Sequence, residues 1–257
     1  MKKIVFFAAL IIYSAAGLAA EDSPETIVKA ARTQAAITSI GTRAKMEIQK
    51  GGTTLNELVV DQYSLRESNG NQRSFLEIKA PANVKGTRFL MIAKNGSVDQ
   101  RIYLPSLGKI RRITGTTEGT ESFLGTDFSY NDLAYMERDS SLDTYRMLTE
   151  DSHNGALCYV IEAKPKDTKS EYAKTHVWIE KDTNRFVKTE FFDAKETRVK
   201  IIEISDYRII QGISTPMVTK MTTLAADTST VIRILKMQYN MQIPDKVFTP
   251  RYLEQGR

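Results

Sequence analysis

AKMEIQKGGTTLNELVVDQYSLRESNGNQRSFLEIKA, residues 44–80, is the stretch that decides the fold. Ala44, Met46 and Ile48 alternate with Lys45, Glu47 and Gln49. Leu58, Val60 and Gln62 alternate with Val59, Asp61 and Tyr63, and Leu76, Ile78 and Ala80 with Phe75, Glu77 and Lys79. A strand turns successive side chains to opposite faces, so a period of two marks strands with one face toward a core. Gly51-Gly52 and Asn69-Gly70 separate the runs. Such dipeptides tolerate positive φ and close antiparallel hairpins.

Farther along, Asn95-Gly96 marks another turn, and strand patterning resumes in 101–104, 157–163, 176–180, 186–192, 199–207, 217–224 and 231–239. The pattern predicts about eleven strands. Ser23-Pro24-Glu25 supplies a cap, a proline for the first helical position and an acid in the first turn. Ile27, Ala30, Ala31, Ala35 and Ile37 follow at helical spacing, predicting a helix over about 24–39. A shorter helix is expected near 129–136, where Ser129 and Asp132 have capping-box spacing. The expected fold is mainly β: one antiparallel sheet, strongly curved or an open barrel, with helices packed on it. Its interior is either a packed core or a ligand cavity.

The first twenty residues read as an address. Lys2 and Lys3 precede seventeen uncharged residues, Ile4 to Ala20, and Glu21-Asp22 end the run. A basic start, an apolar core and small residues at the end make a secretory signal peptide, cut after Ala19 or Ala20. The run also fits the short limit of an uncleaved inner-membrane anchor. No Cys lies near the cut, which excludes N-terminal lipidation. The domain is then residues 21–257, in the periplasm. Removing Lys2 and Lys3 takes the 36 basic residues to 34 against 31 acids, so +5 becomes +3. No basic cluster interleaved with aromatics accompanies this balance, so a nucleic-acid partner is not expected.

Chemistry-bearing patterns are scarce. Cys158 is the only cysteine, and His153 and His176 are the only histidines. No second His and no Cys lies within four residues of either histidine, so no metal site is expected. There is no G-x-S-x-G nucleophile turn. Ser106-Leu107-Gly108-Lys109 matches S-x-x-K without its usual partner motifs. Asp227-Thr228-Ser229 reads as a polar hairpin loop. Glu118, Glu121, Asp127 and Asp132 lack calcium-loop spacing. Gly115 to Gly119 lacks the Lys-Ser/Thr of a phosphate loop. These exclusions favour a binding protein without cofactor over an enzyme. Lys109, Arg111 and Arg112 form one tight basic group, fit either to meet phosphate headgroups or an acidic partner, or to guard a sheet edge with charge.

Three segments carry a family resemblance: Gly86-Thr-Arg-Phe-Leu90, Arg101-Ile-Tyr-Leu-Pro-Ser-Leu-Gly-Lys-Ile-Arg-Arg-Ile113, and Ser122-Phe-Leu-Gly-Thr-Asp-Phe-Ser-Tyr-Asn-Asp-Leu133. They resemble the outer-membrane lipoprotein-sorting proteins, LolA/LolB-like, in the branch that accompanies RND-type exporters. Ile243-Pro-Asp-x-Val-Phe-Thr249 fits the same branch. The resemblance implies an unclosed antiparallel barrel whose mouth is covered by helices. It implies a carrier that buries acyl chains of a lipoprotein anchor or phospholipid while they cross the periplasm. Contact with the membrane would be transient, an RND-type exporter would be a partner, and the protein would be a monomer. A regulatory or scaffold module that binds a membrane exporter or sensor is the alternative. Under the carrier reading the cavity residues on strands would be Leu58, Val60, Leu76, Ile78, Leu90, Ile92, Ile102 and Leu104. Phe123, Leu124, Phe128, Tyr130 and Leu133 would line the mouth, or alternatively pack a helix onto the sheet.

Overall fold

The computed structural model describes residues 22–32, 37–94, 97–137, 139–167 and 170–257. The leader and the Asn95-Gly96 turn lie outside them. One antiparallel sheet of thirteen strands dominates. Its first meander comprises β1 (Ser39–Lys50), β2 (Thr53–Arg66), β3 (Gln72–Ala80), β4 (Arg88–Lys94), β5 (Ser97–Leu104) and β6 (Lys109–Ile113). The second comprises β7 (Asp143–His153), β8 (Ala156–Pro165), β9 (Lys174–Glu180), β10 (Phe186–Phe192), β11 (Arg198–Ile210), β12 (Ile213–Thr223) and β13 (Thr228–Tyr239). β1 pairs with β13, from Ile40 opposite Tyr239 to Lys50 opposite Thr228, and this joins the two meanders. The strand order is therefore β6-β5-β4-β3-β2-β1-β13-β12-β11-β10-β9-β8-β7, with β6 and β7 as open edges.

Thirteen strands replace the expected eleven or so. The missed ones include both edges, β6 and β7. Each pairs with one neighbouring strand only, β6 is just five residues long, and β7 has a burial pattern dominated by exposed positions. Without two buried positions in regular alternation, the period-two signal fades. The expected helix over 24–39 is also corrected. The described part of helix α1 spans Pro24–Arg32, residues 33–36 lie outside the described residues, and Ser39 begins β1, where its hydroxyl donates to the Met241 carbonyl at 2.6 Å.

The sheet is curled. Met46 on β1, Leu58 and Val60 on β2, Ile78 on β3, Phe191 on β10, Ile202 on β11 and Met221 on β12 share one buried cluster. From β3 to β10 is six strand spacings, about 29 Å across a flat sheet at ~4.8 Å each. Side chains so far apart meet only if the sheet folds over on itself, so their face is the concave one.

β6 and β7 are consecutive in the chain but lie at opposite edges of the sheet. The chain between them must return across the molecule, and it does so over the concave face. This strap contains two short helices, α2 (Gly115–Gly119) and α3 (Tyr130–Glu137). The expected capping box is formed: Ser129 Oγ accepts from the Asp132 amide at 3.0 Å, and the Asp132 carboxylate accepts from the Ser129 amide at 2.7 Å. α1 packs on the same face over β7–β9, with Ile27, Val28 and Ala31 against Ile161, Val177 and Ile179. The convex face is covered separately by the C-terminal helix α4 (Pro250–Gln255). Leu253 there packs with Phe75, Leu90, Val247 and Phe248.

Candidate functional site

The concave face beneath the strap is an apolar floor framed by a few polar anchors. At the β4–β6 end the strap is held by packing. Phe123 and Tyr130 are buried against Phe89, Met91, Ile102 and Ile113. The Phe89 and Phe123 rings meet edge-on at 5.4 Å, and Phe123 and Tyr130 at 5.7 Å. Gln100 adds one polar tie, its amide donating to the Tyr130 carbonyl at 2.8 Å.

At the other end the anchors are polar. Asp127 accepts from the hydroxyls of Thr228 at 2.5 Å and Thr230 at 2.8 Å on β13, and its amide donates to Thr230 Oγ1 at 2.8 Å. Asp132, fully buried, accepts from Lys200 Nζ on β11 at 2.6 Å and from the Tyr172 hydroxyl at 2.5 Å. Asn131 donates to Glu171 at 3.1 Å, and the Tyr135 hydroxyl bonds Thr175 on β9 at 3.1 Å. The strap thus touches β13, β11 and β9 in turn. Burial raises the Glu171 carboxyl above its ordinary range, and the nearby Asp132 charge adds to this. Burial also pushes the Tyr172 hydroxyl far up, so it stays a proton donor to Asp132.

Between these anchors, Phe128 packs on the central floor with Tyr172 and Phe191, whose rings lie 4.8 Å apart. The floor is incompletely covered. Val199 and Ile204 on β11 and Ile232 and Ile234 on β13 pack against it yet remain half-buried. What this arrangement can do is bury apolar matter between strap and sheet. Among the described residues no group of three or more His, Cys, Asp or Glu side chains could hold a metal. No helix among them is long and apolar enough to cross a membrane.

A family model described as an uncharacterized protein family matches residues 70–255. The chain belongs to this DUF1329-like family. A DUF1329 family protein from Desulfovibrio piger superposes with a TM-score of 0.84 at 25% identity, covering 90% of this chain and 97% of that one. A putative outer membrane lipoprotein-sorting protein domain from Vibrio parahaemolyticus gives 0.81 at 22% identity, covering 90% and 98%. A LolA superfamily protein from Nitrosomonas europaea gives 0.69 at 20% identity, covering 90% and 99%. No curated protein matches the chain. The lipoprotein-sorting resemblance therefore holds at the level of the fold: this DUF1329-like chain has the LolA-type open antiparallel sheet.

In this family member, most of the residues expected at the cavity do share the concave face. Leu58, Val60, Ile78 and Phe128 lie on the central floor, with Leu76, Leu124 and Leu133 against it. Ile102, Leu104, Phe123 and Tyr130 lie at the β4–β6 end. Leu90 and Ile92 do not: they pack beneath α4 on the convex face. Register explains the split. Leu76 stands opposite Phe89 and Phe75 opposite Leu90, so neighbouring β4 residues serve opposite faces. Alternation could not tell which parity faced inward. The half-buried lining on β11 and β13 was outside the expected set, although the alternating Ile202/Ile204 and Ile232/Ile234 carried the signal.

The basic group on β6 is mostly neutralised. Arg111 pairs with Glu121 at 2.9 Å and Arg112 with Asp99 at 2.6 Å, while Lys109 is exposed at the hairpin end. β6 is an edge strand, where charge of this kind disfavours pairing with another strand. His176 lies on the convex side with Glu162, 3.5 Å away, and burial holds its pKa down. Cys158 is fully buried on β8 with Val160, Trp178 and Val187, and burial raises its thiol pKa.

Proposed function

We propose that this protein is a periplasmic carrier that shelters acyl chains, of a lipoprotein anchor or a phospholipid, on its concave face, without covalent chemistry. One observation carries the reading: an apolar floor spanning β1–β3 and β10–β13 lies under a strap held by packing at one end and by polar contacts at the other. Burial alone supplies the binding energy. A sixteen-carbon chain offers on the order of 10 kcal/mol at ~0.8 kcal/mol per methylene. Exit requires strap movement and a competing apolar site, which needs no nucleophile and no metal. The half-buried Val199, Ile204, Ile232 and Ile234 would meet the chain first.

A fluorescent fatty-acid probe tests this. Binding should be saturable and should weaken at least about tenfold in Ile234→Asp, because a carboxylate in the lining must be desolvated. Unchanged binding in a folded Ile234→Asp variant would move the acyl site off this face. Binding of an exporter domain by a protein that takes up no probe would instead favour the scaffold reading.

A further inference from the structure

On the convex face, away from the strap, a groove of about 780 Å³ runs beside the C-terminal helix. Lys246, Thr249, Arg251, Tyr252, Gln255 and Arg257 line it. Three cations and no acidic side chain therefore face one space. Among the described residues none of the three is in an ion pair; Arg251 Nε donates only to the neutral Gln255 amide, at 3.3 Å. Elsewhere on the molecule basic side chains are commonly matched, as Arg73 is with Glu67 and Asp245, Arg43 with Asp61, and Arg112 with Asp99.

The groove's frame is well braced. Thr249 caps α4, its hydroxyl accepting from the Tyr252 amide at 3.2 Å. Leu253 is fully buried beneath the helix, and the Tyr252 ring meets Phe75 edge-on at 5.2 Å. Arg73 stacks over Phe248 at 5.1 Å and pairs with Asp245, which fixes the short helical turn Asp245–Phe248 that carries Lys246. At the far end, Gly256 is left-handed, with φ of 71°. A Cβ there would lie 2.7 Å from the Arg88 guanidinium, which stacks on Tyr103. Glycine at this position lets the chain bend closely past Arg88 and bring Arg257 to the groove.

We propose that this groove is a phosphate-binding site, taking either a free phosphate-bearing solute or the phosphate of an anionic lipid headgroup. Two arginines supply paired donors and Lys246 a point charge, with Tyr252 among the lining residues, a donor set suited to phosphate oxygens; the Thr249 hydroxyl is spent on the Lys246 carbonyl at 2.7 Å and serves the frame. The site is separate from the concave face and stands whether or not that face carries lipid.

The test uses the full folded protein in two arms. One titrates inorganic phosphate and glycerol phosphate by calorimetry; the other measures sedimentation with vesicles of phosphatidylglycerol against phosphatidylcholine. The variants are Lys246→Gln/Arg251→Gln and, as a control for lost charge, Lys236→Gln on β13. The side chains changed are exposed, and circular dichroism verifies folding. Saturable binding of the soluble phosphates, weakened about tenfold or more by the double variant and under about twofold by Lys236→Gln, supports a free phosphate ligand; charge-assisted contacts carry this magnitude. The same pattern with phosphatidylglycerol vesicles alone supports the headgroup. Binding in neither arm, or equal losses per charge in the two variants, overturns the proposal.

Discussion

Asp132→Asn isolates the polar end of the strap. Asp132 is fully buried and holds Lys200 at 2.6 Å, the Tyr172 hydroxyl at 2.5 Å and the Ser129 amide at 2.7 Å. Asparagine keeps the shape and still accepts from the Ser129 amide, so the helix cap survives. What is lost is the negative charge and one acceptor oxygen: the amide NH2 replaces the oxygen that accepts from the Tyr172 hydroxyl, and the Lys200 ammonium, whose side chain is only 14% exposed, lacks its anionic partner. Breaking a buried pair from one side costs about 3–5 kcal/mol. Glu171 remains nearby as a partial substitute, which places the cost near the lower figure. For a domain of this size ~3 kcal/mol corresponds to a fall in Tm of about 6–12 °C. Thermal unfolding followed by circular dichroism at neutral pH reads it directly. A second variant separates charge from shape: Asp132→Asn/Lys200→Met removes both ions and should recover at least half of the loss. A fall under about 2 °C in Asp132→Asn, or no recovery in the pair, would refute the claim that this contact pins the strap.

Glu171 gives a pH signature. Its carboxyl pKa is raised in the folded protein, chiefly by burial. Folding therefore favours its protonated form, and stability from this group is lost as pH rises from the ordinary carboxylate value through the folded one. Glu171→Gln should match the parent protein in stability at acid pH and exceed it at neutral pH; a variant weaker at neutral pH by thermal unfolding would contradict this. Cys158 should resist thiol reagents in the native protein and react fully once unfolded, since it is buried and its thiol pKa is raised. Rapid native labelling would count against the packing around Trp178.

The parts of the fold legible in the sequence were those with two unlike faces. β1, β2 and β3 alternate clearly because one side meets the concave core and the other carries charges such as Lys45, Glu47 and Glu57. β4 is apolar on both sides, with Phe89 and Met91 under the strap and Leu90 and Ile92 under α4. A strand buried twice keeps no record of which face is which, so two expected lining residues lie on the wrong side for that role. The Ser129/Asp132 cap was local and readable; its link to Lys200, sixty-eight positions away, was not. The convex groove was hidden for the same reason. Lys246, Arg251 and Arg257 are spaced like ordinary surface charge, and only the docking of Leu253 and the bend at Gly256 bring them to one space.

The carrier reading meets its most direct test in mass spectrometry of organic extracts from the natively purified protein. The expected result is phospholipid or acyl-bearing species in near-stoichiometric amount, falling sharply in Ile234→Asp. Extracts free of lipid, from protein that also fails to take up an added acyl chain, would contradict it.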